Sequence, residues 1–384
     1  DCRRRTQSGL SNESQCVEAV YYTAESERDT ERSTDLVQRL GVNVYHMTSH
    51  SYLHELYKMG VLGPGKQIDT DLPFDRYGTY EFIDSLVTAV AYRQGIGDDL
   101  AEGLPRAAER WGRLQQDLDS GILAYPNWGY PEHYDQRIEV EWSYGSILGD
   151  RDINEHDFNF WVYWMPLITG MVKQAPVVSA EQLATIIGEK MVPYSDPMMV
   201  DYSEDGIYSD AKAKFIAWHR HYTRFWKQSA GYCDWAYADF INPGQPDFKG
   251  YTLDAEPKFW SAVTGQDLSF EDGLELGRRI WNLDRAIWIL QGRHRDMEVL
   301  SGYVYDVPTS IPYPLPVFKD GQWQYDLNLG RTLDRQRFEE WKTKYYQLEG
   351  WDPRSGWPTR ATLAELELDN VADTLERSGK LGQA

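Results

Sequence analysis

Apolar residues in this chain recur three and four apart far more regularly than two apart, which restricts the fold to helices laid against one another. Phe82, Ile83, Leu86, Val87 and Val90 form one stripe, which Gly95 and Gly97 interrupt. Leu100, Leu104, Ala107 and Trp111 begin a second. Leu276, Ile280, Leu283, Ile287 and Leu290 form a third, followed by Gly292 where a left-handed residue can end a helix. Phe338, Trp341, Tyr345 and Leu348 form a fourth, stopped at Gly350. The candidate strand is "QWQYDL" (322–327), after "KDG". The predicted fold class is mostly α.

A chain of 384 residues can bury a full core and divide into domains. Glycine and proline interrupt the helices in "DSGILAYPNWGYPEH" (119–133), which places a boundary there. "YVYDVPTSIPYPLPVF" (303–318) carries four prolines and reads as an ordered extended loop across a surface. No apolar run reaches the roughly 20 residues of a membrane span, and "DCRRRTQSGL" has no signal-peptide pattern. A net charge of −21 repels phosphate backbones and anionic membranes, which argues against a nucleic-acid partner. Three cysteines do not make a disulfide framework and point to a reducing cytoplasm. Fifteen Trp and 26 Tyr can line a substrate cleft, as in a carbohydrate enzyme, or fill large helical cores.

Several short constellations could carry chemistry. His46, His50 and His54 would share one helical face, but no carboxylate completes a zinc pattern around them. His219 and His221 stand two apart, on different faces of a helix, in surface or helix-end roles. "GDRDINEHDF" (149–158) gathers Glu155 and His156 with aspartates and an arginine between aromatic-rich segments. Such a set is either a solvated loop or, buried, a source of acid–base groups. Cys233 stands alone in "QSAGYCDWAYADF" (228–240), far from Cys2 and Cys16. It is either a packing thiol or a ligand whose companions are remote in sequence.

Three longer segments carry a resemblance. "AYRQGIGDDLAEGLPRAAERWG" (91–112), "GRRIWNLDRAIWILQGRHRDME" (277–298) and "YYQLEGWDPRSGWPTRATLAELELDNVADTLE" (345–376) resemble, in order, segments of the tungsten-containing aldehyde ferredoxin oxidoreductase family. The resemblance implies two helical domains of that family, residues 1–122 and 123–384, without the N-terminal β-rich cofactor domain. It implies a native polypeptide extending upstream by roughly 100–250 residues, a domain's length. It also implies two cofactors: a tungsten (or molybdenum) bis-pyranopterin and a 4Fe-4S cluster.

The resemblance assigns roles residue by residue. Cys233 matches the remote fourth cluster ligand, and Cys2 the last of a C-x-x-C-x-x-x-C trio. Gln228, with Gly231 and Tyr232, stands in the second pterin-binding motif, where the family has Asp at the first position. Asn43 takes the Asp position of the first motif. An amide can hydrogen-bond a pterin but changes the donor–acceptor balance. His156 falls near the family's active-site histidine, with Glu155, Glu18 or Glu25 assisting. The sequence around it departs from the family's common form, towards the branch related to the tungsten-containing benzoyl-CoA reductase. The implied activity is oxidation of an aldehyde to a carboxylic acid, with electrons passing to ferredoxin or an iron–sulfur subunit of a homo- or hetero-oligomer. The alternatives are reduction of an aromatic acyl-CoA by the same cofactors, or a helical carbohydrate-active protein with paired carboxylates.

Overall fold

In the computed structural model the described residues are 26–42, 52–123, 135–149, 160–231 and 240–383. They form two compact units: residues up to 123 with 301–303, and 135–300 with 304–383.

The first unit is helical throughout. Its helices are α1 (Glu27–Leu40), α2 (Tyr52–Lys58), α3 (Tyr80–Ala91), α4 (Gly97–Leu100), α5 (Leu104–Arg110) and α6 (Leu114–Ser120). The first stripe lies on α3, begun by Thr79, whose side chain accepts from the Phe82 amide. All five of its residues enter a core with Leu53, Leu56 and Phe74. The second stripe is also buried at Leu100, Leu104 and Ala107, but Gly103, at φ +96°, divides it between α4 and α5. Gly97 is required sterically, because an added Cβ would overlap the Ala89 carbonyl of α3. Inside this unit Asp117 accepts from Arg113 (2.7 and 2.9 Å) and from the Tyr52 hydroxyl (2.8 Å).

The second unit contains α7 (Val140–Leu148), α8 (Met165–Met171), α9 (Ala180–Lys190), α10 (Asp210–Tyr222), α11 (Ala255–Thr264) and α12 (Phe270–Leu290). After the short α13 (Tyr303–Asp306) come α14 (Arg335–Glu349), α15 (Arg360–Glu365) and α16 (Asp369–Arg377). Two π-helical turns, Phe160–Trp164 and Thr223–Ser229, precede α8 and follow α10. The candidate strand is β2 (Gln322–Asp326), paired antiparallel with β1 (Leu315–Lys319), so the proline-rich stretch ends as a strand. The fourth stripe is borne out on α14, where Phe338, Trp341 and Tyr345 are buried and Gly350 takes φ +72°.

The third stripe is on α12, but not facing the core. The buried face of α12 carries Gly273, Leu274, Gly277, Trp281, Asn282, Arg285, Ala286 and Ile289. Leu283, Ile287 and Leu290 are 40–44 % exposed. Gly273 and Gly277 explain the choice of face: a Cβ on either would overlap the Trp226 ring or the His221 carbonyl. Close helix crossing requires glycine there. The large aromatic inventory goes mainly into this core, where Trp218, Trp226, Trp281, Trp341 and Trp351 are fully buried.

Candidate functional site

Of the residues with a sequence-predicted role, Gln228 and Gly231 are described. Cys2, Glu18, Glu25, Asn43, Glu155, His156, Tyr232 and Cys233 lie outside the described residues, as do His46 and His50. The structure does show where two of those segments join the scaffold. Helix α7 ends at Gly149, immediately before 150–159. The π-turn after α10 ends at Ser229, just before 232–239.

One basic and aromatic layer holds both ends. Arg293 donates to the carbonyls of Leu148 (3.1 Å) and Gly149, and its guanidinium lies 4.8 Å over Trp288. Trp288 meets Trp281 edge to face at 5.5 Å, and a Cβ on Gly149 would touch Trp281. Arg224 lies over both indoles, at 5.2 and 5.9 Å. It pairs with Asp284 at 3.3 Å and donates to Gln228 Oε1 at 2.7 Å. Gly149, next to the segment carrying His156, and Gln228, shortly before the segment carrying Cys233, thus both contact this layer of Trp281, Trp288, Arg224 and Arg293. Sequence reasoning missed this layer, because cation–π stacking leaves no spacing signature.

Arginine only donates, so the Gln228 carbonyl must face Arg224, which leaves the amide N–H₂ as the group available to a ligand. Gly231 stands at φ +76° with nothing within 4 Å of an added Cβ. This pair can present one donor and an open backbone to the edge of a heteroaromatic group. Among the described residues, no cluster of three or more His, Cys, Asp or Glu is placed to hold a metal ion.

The other end of α7 carries the most perturbed acids. Glu139 and Glu141 are buried, and the Tyr163 hydroxyl donates to Glu141. Burial, then the neighbouring charges of Glu141 and Asp135, push Glu139 well above the carboxylate range. Burial also raises Glu141, against the opposing pull of Lys212. Lys212 is held by the Met199 carbonyl (2.8 Å) over the Tyr202 ring (3.8 Å), and burial lowers it to about 8. Neither carboxylate stood out in the sequence, because its chemistry comes from burial and not from spacing.

A pH effect on stability follows. A raised carboxyl pKa favours the folded state below the unfolded value of about 4.3 and loses that advantage as pH rises through the folded value. Glu139→Gln should therefore raise the Tm at about pH 8 and leave it little changed at about pH 3, where both states are largely protonated at this site. A Tm gain equal at both pH values would show that folding does not raise the Glu139 pKa. Lys212, lowered to about 8, acts only above that window.

His219 and His221 both fall in the last turn of α10, the helix-end alternative of the sequence reading. His54 stacks on Tyr77 at 3.9 Å. His219 is completely buried in the last turn of α10, contrary to a surface role, because its face of the helix meets the core. His221, in the same turn, pairs with Glu349 at 2.9 Å.

The scaffold is thus a helical one that leaves its sequence-predicted chemistry to segments leaving helix ends. The chain belongs to the aldehyde ferredoxin oxidoreductase family: the family model described as domains 2 and 3 matches residues 30–368. The tungsten-containing aldehyde ferredoxin oxidoreductase of Pyrococcus furiosus is 26 % identical over 317 residues, 82 % of this chain and 41 % of that protein. Its counterpart in Thermococcus kodakarensis is 26 % identical over 300 residues, 77 % and 38 % of the two chains. The chain therefore spans less than half the length of these curated relatives. Its fold is similar to a chain in the active-site complex BamBC of benzoyl-coenzyme A reductase with 1,5-dienoyl-CoA. There the TM-score is 0.58 and the identity 18 %, covering 96 % of this chain and 51 % of that one.

Proposed function

We propose that this chain forms the helical portion, residues 1–122 and 123–384, of a tungsten–bispyranopterin oxidoreductase that converts an aldehyde to a carboxylic acid. The observation that carries this is the match to the family's domains 2 and 3, with Gly149 and Gln228 held on one layer. The Gln228 amide and the Gly231 backbone fit one edge of a pterin, with Asn43 and Tyr232 as further contacts. Cys233 and Cys2 would ligate the iron–sulfur cluster. When bound, these cofactors would supply the two-electron oxidising capacity and the onward electron transfer that the reaction needs.

The side chains handle protons. Converting an aldehyde and water to an acid releases two electrons and two protons. His156 accepts a proton from the attacking water, since a side chain titrating near neutrality can both take and return it. Glu155, Glu18 or Glu25 relays it onward. The electron acceptor is ferredoxin or an iron–sulfur subunit, and the compartment a reducing cytoplasm. No described helix is long and apolar enough to cross a membrane.

A second reading keeps the residues and reverses the flux, reducing an aromatic acyl-CoA with His156 as the acid. The fold shared with the benzoyl-coenzyme A reductase complex supports the scaffold of that reading and not its substrate. The carbohydrate reading has no support from the family match, and five of the 15 tryptophans it would draw on are fully buried.

Elemental analysis of the protein from its native source should find tungsten or molybdenum together with iron. Cys233→Ser should lose iron and the iron–sulfur EPR signal, and should melt at lower temperature, because cluster binding contributes to folding. Cys16→Ser should retain both. Full iron in the Cys233→Ser protein would make Cys233 a packing residue and remove the cluster assignment.

A further inference from the structure

The second unit holds, in its interior, a set of titratable side chains that the proposed reaction does not use. Glu139 immediately precedes α7 and Glu141 lies in its first turn. Tyr163 stands on the π-helical turn before α8, Tyr202 between α9 and α10, and Lys212 on α10. All five are buried, and all but Glu139 completely so. Tyr163 meets Tyr202 edge to face at 5.8 Å and Tyr313 at 6.0 Å, and Tyr313 is within reach of Glu139.

A buried polar atom needs a partner. Tyr163 donates to Glu141 Oε1. Glu141 Oε2 and the Tyr202 hydroxyl make no hydrogen bond of acceptable geometry with a described residue, although the two groups are close enough to shift each other's proton affinity. Lys212 attracts Glu141 too, yet its hydrogen bond goes to the Met199 carbonyl at 2.8 Å, which leaves two N–H bonds of the ammonium for other partners. An acceptor, a hydroxyl and an ammonium thus face one another across a polar space. A buried water takes about three such partners.

The charged neighbours are engaged elsewhere. Asp201 accepts from the Ser203 amide (2.9 Å), the Ser203 hydroxyl (2.8 Å) and the Phe318 amide (3.0 Å). Arg331 donates to the Tyr202 carbonyl and to Asn328. Asp135 is gripped by Arg137 at 2.7 and 2.8 Å. Two neighbouring buried carboxyl groups do not both ionise readily, and only Glu141 has Lys212 in its favour, so the proton stays on Glu139.

We propose that Glu139, Glu141, Tyr202 and Lys212 form an internal acid–base site, with one exchangeable proton on Glu139 and an ordered water held between Glu141, Tyr202 and Lys212. The site lets this unit take up or release a proton from its interior. It uses no metal or cofactor, so it stands or falls apart from the activity proposed above.

Infrared spectra of the native protein at about pH 7 should show the carbonyl stretch of a protonated carboxylic acid, shifted when heavy water replaces water. Glu139→Gln should remove that band. Glu141→Gln should keep it but make it titrate away at lower pH, because the neighbouring like charge is gone. Tyr202→Phe should lower the Tm, because the water loses a partner; a hydroxyl that had been merely unpaired would leave the Tm unchanged or raise it. The proposal is overturned if the native protein has no such band, if heavy water never shifts it, or if Glu139→Gln leaves it intact. A Tyr202→Phe protein as stable as wild type removes the water from the site. Should Glu139→Gln fail to fold, the midpoint in Glu141→Gln decides: an unmoved midpoint overturns the assignment.

Discussion

Replacing Arg285 with Met should destabilise the protein by about 3–5 kcal/mol, the cost of leaving a buried charge without its partner. Arg285 is fully buried, and its guanidinium grips both oxygens of the equally buried Glu298, at 3.1 Å on Oε2. It also donates to the Gly356 carbonyl at 2.8 and 3.0 Å and lies 4.5 Å over Trp351. The Tyr346 hydroxyl donates to the same carboxylate. Without the arginine, Glu298 would keep its desolvation cost and lose its main compensation. At roughly 2–4 °C per kcal/mol for a unit of this size, the Tm should fall by about 6–20 °C. Adding Glu298→Leu to Arg285→Met should recover most of that loss, because it removes the carboxylate left without its guanidinium. A single variant with an unchanged Tm would mean that water already reaches the pair. A double variant no better than the single would place the loss in the Gly356 contacts.

His156→Ala should lower kcat by about 10²–10⁴-fold, with tungsten, pterin and iron retained. This follows from the proposed role of His156 in moving the proton between attacking water and solvent. The pH–rate profile should lose its limb near neutrality in His156→Asn, which preserves polarity without titrating. If His156 instead braces its loop by bonding a neighbouring carboxylate, the variant should melt earlier while activity per metal-replete molecule stays near wild type. The two outcomes are read on the same preparation, from its Tm and its rate per tungsten.

Two helix ends were legible because a glycine stop is local: Gly350 takes φ +72° after α14 and Gly292 φ +111° after α12. The caps at the starts of α3 and α12, Thr79 and Ser269 with Asp272, came from the structure. The apolar residues of α3 and α14 were legible too, since spacing alone puts them on one face. The Arg224–Gln228 contact was not, although the two residues are one turn apart. Its meaning depends on Trp281 and Trp288, which come from a helix more than fifty residues later. Glu139, Glu141 and Lys212 were invisible as perturbed groups because burial, which shifts them, is a property of the whole fold.

By itself, then, the sequence determined a mostly helical chain, the glycine stops of two of its helices, and three segments characteristic of one oxidoreductase family. Only the tertiary structure decided which face of each helix lies inside. Periodicity states that Leu276, Ile280, Leu283, Ile287 and Leu290 share a line; it cannot state what that line meets. On α12 the decision fell to Gly273 and Gly277, because two helix backbones approach closely only where side chains are absent. Once α10 is drawn onto that glycine face, Trp281, Asn282 and Arg285 are carried inward and must find partners there. Asn282 accepts from the Trp351 indole at 2.8 Å, and Arg285 takes Glu298 and the Gly356 carbonyl. The leucine row is left outside by the same rotation, since one helix cannot bury two opposite faces against a single neighbour.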